Sequence, residues 1–427
     1  MIMKNMKKIL FLGITLASSL WAKSRPVVIW VNSYTDLNYY KNMAEVYKKK
    51  VDPSFSAEVL SYGFMDMPNK LALTIKTGVN PPDLVQLDEL NFSVYLNSKT
   101  VPFLDLTEKA RSAGITQNIH PNRMGLFSYK NHVYGIPQSM SAVVLYYRSD
   151  LFQKHNIDPS SLTTWESFYK AGLKIKADRR ALLALDWSYI EMLVKQRGSD
   201  LFKPDGSINL DDPIVIECIE FLRKMVKNGV GEIPDRGSLY DPTFFSGDVA
   251  NGEILSVIGA GWYGLDMLAA FTPEELKGTW SFIPLPKWSK KESPIQRRTS
   301  TFSGQGLLIF KKSKQVDKAW GFMKWVMTDL DANVERYLQG NSFPCFKPAW
   351  VDGRLSRKDP VFNNQSLGAM MLDLASEIPP HIQSPHRAKL ANLLREKYWT
   401  SLLNEERPVK EMLQELKKEM NKPFRRK

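Results

Sequence analysis

Cysteine and histidine are scarce: this chain of 427 residues holds two cysteines and five histidines. Neither type is clustered, so the paired Cys and His ligands of a structural zinc site are missing, and no metal is expected. The sequence has no His-Glu-x-x-His pair, no Walker loop and no nucleophile elbow, which removes the motif-bearing metalloproteases, P-loop nucleotidases and serine hydrolases. It has no internal repeat and no long low-complexity stretch. Basic runs occur, but without an RNA-binding strand motif or a recognition helix, so nucleic acid is not an expected partner. Cys218 and Cys345 lie far apart and are expected to be buried free thiols, with a bridge as the alternative.

What remains describes an exported globular protein. Its length exceeds one ordinary core and makes two domains the default. Hydrophobic content of 43% and charged content of 24% are those of a soluble globular chain. Lys4, Lys7 and Lys8 precede the apolar run Ile9 to Leu16 and a small-residue exit ending at Ala22. This is the layout of a secretory signal peptide over residues 1–22, with Ser19 as the alternative cleavage point, and its run is too short for a membrane anchor. No cysteine follows it, so no lipid anchor is expected. Loss of its three lysines lowers the formal charge from +13 to +10. The remaining positive charge lies mainly in surface-like runs, suited to weak attraction to anionic envelope surfaces.

The mature chain opens with the spacing of a strand over Val27 to Val31, a helix over Asn38 to Lys50, a strand near Glu58 to Ser61, a helix through Leu71 and Ile75, and a strand over Asp83 to Leu87. This βαβαβ order predicts a doubly wound parallel sheet. Asp212-Pro213 predicts a capped helix start, with Val215, Cys218, Ile219, Leu222, Met225 and Val226 on one face. Val143 to Tyr147 predicts a buried strand. Ser149 or Asp150 then caps a short helix that ends at Asp158-Pro159. Thr163 and Glu166 predict a capping box for the next helix, whose apolar face is Trp165, Phe168, Tyr169, Gly172 and Leu173.

Residues 134–165 also carry a resemblance. Gly135-Ile-Pro137, the run Leu145-Tyr-Tyr-Arg-Ser-Asp-Leu-Phe152 and Thr164-Trp-Glu166 resemble the signature segment of the family 1 extracellular solute-binding proteins, the sugar-capturing subunits of bacterial ABC importers. The family usually has Tyr-Asn where this chain has Tyr147-Arg148. Gly198 to Gly206, Asn251 to Trp262, Phe282 to Pro286 and Gly304 to Trp325 resemble further family blocks in family order. The resemblance implies an α/β, periplasmic binding protein-like fold of two doubly wound lobes joined by crossover hinge strands. It assigns residues 23–137 plus 300–343 to a first lobe and 138–299 plus 344–427 to a second. It further implies a periplasmic monomer that closes on a carbohydrate, delivers it to transmembrane permease subunits, and needs no cofactor.

In open α/β sheets ligands bind beyond the carboxyl ends of the strands. That rule selects Asn32, Ser33 and Tyr34, then Ser61 and Tyr62, then Asp88 and Glu89, with a helix cap as the structural alternative for Asp88 and a turn for Ser33 and Tyr34. Asp88 is the preferred acceptor for paired sugar hydroxyls. From the second lobe, Trp187 and Tyr189 match family positions, and Trp262 with Tyr263 follows the Gly259-Ala-Gly261 turn. Trp262 is the favoured indole for stacking on a pyranose ring. Gln138 lies at the first crossover, and Phe302 and Gln305 at the return; core packing or a purely structural hinge is the competing reading.

Two competing functions follow. A binding protein for a polyamine or phosphate ester would need charged groups converging on the cleft. A secreted glycoside hydrolase would need two opposed carboxylates, with Asp88 or Glu89 facing Asp186 or Asp266. Ser, Tyr, Asp and Glu at the strand ends favour neutral sugars, and chain length and aromatic supply favour a di- or oligosaccharide, bound without catalysis.

Overall fold

A computed structural model describes residues 25–63, 66–98, 100–175, 180–234 and 238–422. The expected signal peptide lies outside the described residues. Twelve strands are seen among them: β1 (Val27–Val31), β2 (Ala57–Ser61), β3 (Leu84–Asp88), β4 (Ser128–Tyr129), β5 (His132–Val133), β6 (Gly135–Pro137), β7 (Val143–Arg148), β8 (Ala181–Ala184), β9 (Gly231–Glu232), β10 (Ile254–Ala260), β11 (Trp280–Pro284) and β12 (Gln305–Ile309). They build two five-stranded sheets, ordered β2-β1-β3-β12-β6 and β11-β7-β10-β8-β9, with β4 and β5 forming a small hairpin. The molecule is an α/β protein of two lobes.

Alternation along β1 shows how the first sheet is covered. Val27, Ile29 and Val31 belong to the large core with Tyr39, Tyr40 and Met43 of helix Tyr34–Lys50, while Trp30 points to a separate core with Met67, Leu71, Val85 and Phe92. A period of two thus places helices on both faces. The sheet is not wholly parallel: β1 runs parallel to β2 and β3, but β12 enters antiparallel between β3 and β6. In the second sheet β7 is antiparallel to β10 and β11, while β8 is parallel to β10 and β9.

Helix Pro213–Lys227 follows its sequence pattern closely. The Asp212 side chain accepts from the Ile214 amide at 2.8 Å, and Val215, Cys218, Ile219, Leu222 and Met225 are buried. Other expectations need correction. Helix Tyr34–Lys50 begins four residues before Asn38, because Ser33 caps it by accepting from the Asp36 amide. Helix Ser149–Lys154 starts without a side-chain cap and ends before Asp158, which caps the short turn Pro159–Ser161 instead. Before helix Trp165–Ile175 the reciprocal cap joins Thr164 and Ser167, each side-chain oxygen accepting from the other's amide at 3.1 Å. Glu166 pairs with Lys170, and Leu173 is 42% exposed. Both cysteines are buried and free.

The chain passes between the sheets through residues 138–142 and 285–304, and leaves the first lobe again through 341–346. These crossings bond to one another: Ala142 bridges Thr301, Ser139 bridges Pro344, and the Met140 amide donates to the Phe343 carbonyl at 2.9 Å. A C-terminal strap, residues 375–388, touches both lobes. Gln383 Nε2 donates to the carbonyls of Glu89 and Leu126, whereas Ser384 Oγ donates to Gly206 and Arg387 to Glu191.

Candidate functional cleft

The carboxyl ends of the first sheet carry a connected set of amides. Gln305 Nε2 donates to Asn32 Oδ1 at 2.7 Å, and Gln305 Oε1 accepts from Gln86 and Gln138, both at 3.0 Å. Gln138 Oε1 in turn accepts from the Tyr40 hydroxyl at 2.9 Å, and Arg336 Nη1 donates to that hydroxyl at 3.3 Å. Asp36 completes the group: Ser33 Oγ donates to its carboxylate at 2.6 Å. Burial raises the Asp36 pKa, against the lowering effect of Ser33, Gln86 and Arg336. Each polar group is held by another, so the floor presents fixed donors and acceptors.

Aromatic rings come from the other side. Trp262 stands just after β10, and its indole lies nearly parallel to Tyr240, with centroids 6.1 Å apart and planes inclined by 20°. Trp187 meets Phe302 edge to face at 6.1 Å. Trp187, Trp262 and Phe302 are each partly exposed. Trp262 lines a cavity with Ser139, Ser141, Tyr337, Asn341 and Met371, about 270 Å³ of empty space including part open to solvent. At its edge Asn341 Nδ2 donates to Asp266 Oδ1 at 2.8 Å, joining the end of a first-lobe helix to the second lobe. Burial pushes the Asp266 carboxyl up to about 7, and Asp36 adds repulsion.

The sequence-selected residues separate into exposed and supporting groups. Tyr34 is 73% exposed at the first turn of its helix, and Ser33 serves as that helix's cap. Gln138 and Gln305 belong to the amide floor. Asp88 is buried and caps the short helix Glu89–Ser93, accepting from Asn91 N at 2.7 Å and from Asn91 Nδ2 at 3.2 Å. Burial, with Glu89 next to it, raises its pKa to about 7. Asp88 is not among the residues lining the Trp262 cavity. Glu89 is buried toward the strap, in the field of Arg387, Lys195 and Arg123. Tyr189 and Tyr263 are core residues: the Tyr189 hydroxyl accepts from the Ile258 amide at 2.7 Å, and the Tyr263 hydroxyl donates to the Leu239 carbonyl at 2.9 Å. Among the opposed carboxylates considered for hydrolysis, Asp186 is buried and accepts from the Ser188 amide at 2.9 Å.

Asp36, Tyr40, Gln86, Arg336 and Tyr240 were outside the sequence-based set. Asp36 was findable, because Ser33 three residues earlier is a capping signal. Gln86 lies inside a strand that otherwise reads as apolar, and Tyr240 has no periodic neighbour that marks it.

No group of His, Cys, Asp and Glu suited to a metal occurs among the described residues, and none of their helices is long and apolar enough to cross a membrane. Among curated proteins, the chain is 23% identical over 400 residues to the arabinooligosaccharide-binding protein of Bacillus subtilis, covering 91% of this chain and 90% of the other. It is 23% identical over 353 residues to the lactose-binding protein of Rhizobium radiobacter, covering 79% of each. Among solved structures, the galacto-N-biose-/lacto-N-biose I-binding protein of the ABC transporter from Bifidobacterium longum superposes with a TM-score of 0.74 at 15% identity, covering 92% of this chain and 95% of that one. The family model described as bacterial extracellular solute-binding protein matches residues 32–329, so the chain belongs to that family.

Proposed function

We propose that this protein is the exported binding subunit of an ABC-type carbohydrate importer. It captures a di- or oligosaccharide between its lobes without chemistry and hands it to membrane permease subunits. The observation that carries this reading is a hydrogen-bonded amide and carboxylate set at the end of the first sheet and a set of partly exposed aromatic rings around the end of β10, linked through Asp266, which feels Asp36 and accepts from Asn341. Asn32, Ser33, Asp36, Gln138 and Gln305 are suited to sugar hydroxyls, with Tyr34 at the rim; Trp187, Trp262, Tyr240 and Phe302 are suited to the apolar face of a pyranose. Asp88 and Glu89 support the floor from behind, and Tyr189 and Tyr263 support the aromatic rings.

The sugar cargo of the curated relatives agrees with this chemistry. So does the protonation of the cleft: burial raises the pKa of both Asp36 and Asp266 and so favours their neutral form, suited to uncharged hydroxyls, and the fully buried Arg336 is engaged by Tyr39 and Tyr40. The lobes are residues 23–137 with 300–343 and 138–299 with 344–427, and closure stabilised by contacts to both follows from the crossings. A signal peptide over residues 1–22 and a monomer free in the periplasm complete the proposal.

Isothermal calorimetry against arabinan, galactose-containing and maltodextrin oligosaccharides, with sn-glycerol 3-phosphate as the anionic control, tests it. Reversible binding of one sugar class with no product formed is expected. Binding of the anion alone, or turnover of a sugar, overturns the reading.

A further inference from the structure

The three passages between the lobes meet at one side chain. Arg123, on the first-lobe helix Pro121–Met124, is fully buried. Its Nε donates to the Ser139 carbonyl at 2.9 Å in the first crossing. In the second crossing Nη1 donates to the Thr301 hydroxyl, and Nη2 to the Ser303 carbonyl at 2.7 Å. The buried Cys345 thiol of the third lies against the same guanidinium. The fit is tight: a Cβ at Gly304, whose φ is 153°, would stand 2.0 Å from Arg123 Nη2.

We propose that Arg123 is a positioning residue that pins the crossings to the first lobe and sets the angle at which the lobes rest before a ligand arrives. This rests on the two-lobe capture reading above. Its hydrogen-bond acceptors at Ser139, Thr301 and Ser303 are all neutral, and Glu89 is linked to it only through the field, so the directed contacts of the guanidinium are spent on the crossings. The planar fork is what reaches several acceptors at once, and a lysine ammonium cannot reproduce that geometry.

Each crossing contains one non-glycine residue in the left-handed region: Ser141 at φ 50°, Ser303 at 58° and Asn341 at 53°. Such torsions are disfavoured and persist where surrounding contacts hold them. Arg123 grips the first crossing two residues on the first-lobe side of Ser141, and grips the second at Ser303 itself. Asn341 is held from the opposite lobe by its bond to Asp266. The guanidinium thereby ties the first two crossings to each other as well as to the first lobe.

Pulsed electron paramagnetic resonance on the full chain, with spin labels at Lys76→Cys and Lys170→Cys, reads the angle without any ligand. Both label sites are exposed and both native thiols are buried. Wild type is expected to give one narrow distance distribution. Arg123→Lys and Thr301→Val are each expected to broaden it, raising the minor populations about tenfold, with circular dichroism unchanged. A folded Arg123→Lys protein with the wild-type distribution overturns the proposal. If that variant does not fold, Thr301→Val decides in the same way. Adding arabinotriose, lactose or maltotriose to wild type separately tests sugar capture: a distance that never shortens defeats the carbohydrate reading and leaves the role of Arg123 standing.

Discussion

Trp262 offers an indole face already backed by Tyr240, so a sugar meeting it gains contact without ordering a free ring. Trp262→Ala is expected to weaken binding of the cognate sugar at least about tenfold by calorimetry, with Trp262→Phe intermediate. Asp266 supplies a second prediction. Its folded pKa of about 7 lies above the ordinary carboxylate value of 3.8, so between the two the native state holds a proton that the unfolded state has lost. Stability therefore falls as pH rises through that window, and Asp88, also raised to about 7, acts in the same direction. Melting curves from pH 4 to 8 should decline with pH, and Asp266→Asn should flatten part of the decline. At this scale the strand-end rule selected Ser33, whereas Gln138 and Gln305 were reached only as crossover positions. The sequence hid Tyr240, whose value comes from a partner brought beside it only by the fold.

Helix Pro213–Lys227 was legible because cap, proline and apolar spacing agree locally. Asp212→Ala removes the oxygen that accepts from Ile214, leaves the Ser199 hydroxyl without this acceptor and leaves Asn209 with the Asp200 carbonyl alone, so a loss of about 1–2 kcal/mol is expected in urea unfolding, with sugar affinity unchanged. The start of helix Trp165–Ile175 was harder to read. Thr163-Glu166 and Thr164-Ser167 have the same spacing, and the choice between them turns on Lys170, which draws Glu166 along the helix surface. The mixed direction of the first sheet had no local signal, because β12 lies far along the chain from the strands it pairs with.

Across the whole molecule, the strap makes the two lobes mechanically dependent. Arg387 and Lys195 are buried with Glu191 and Asp200, at 2.6 Å for Arg387–Glu191 and 2.5 Å for Lys195–Glu191. Arg387→Met would leave Glu191 and Asp200 to share Lys195 and is expected to cost about 1.5–3 kcal/mol in denaturant unfolding. Circular dichroism at the midpoint should still show both lobes melting together.

The place of β12 also bears on how the protein is made. It fills the gap between β3 and β6, so the first sheet stays open while the entire second sheet is synthesised. A nascent chain therefore cannot finish its N-terminal lobe early, and a long portion remains in an unfinished, extensible state of the kind a secretion channel can thread.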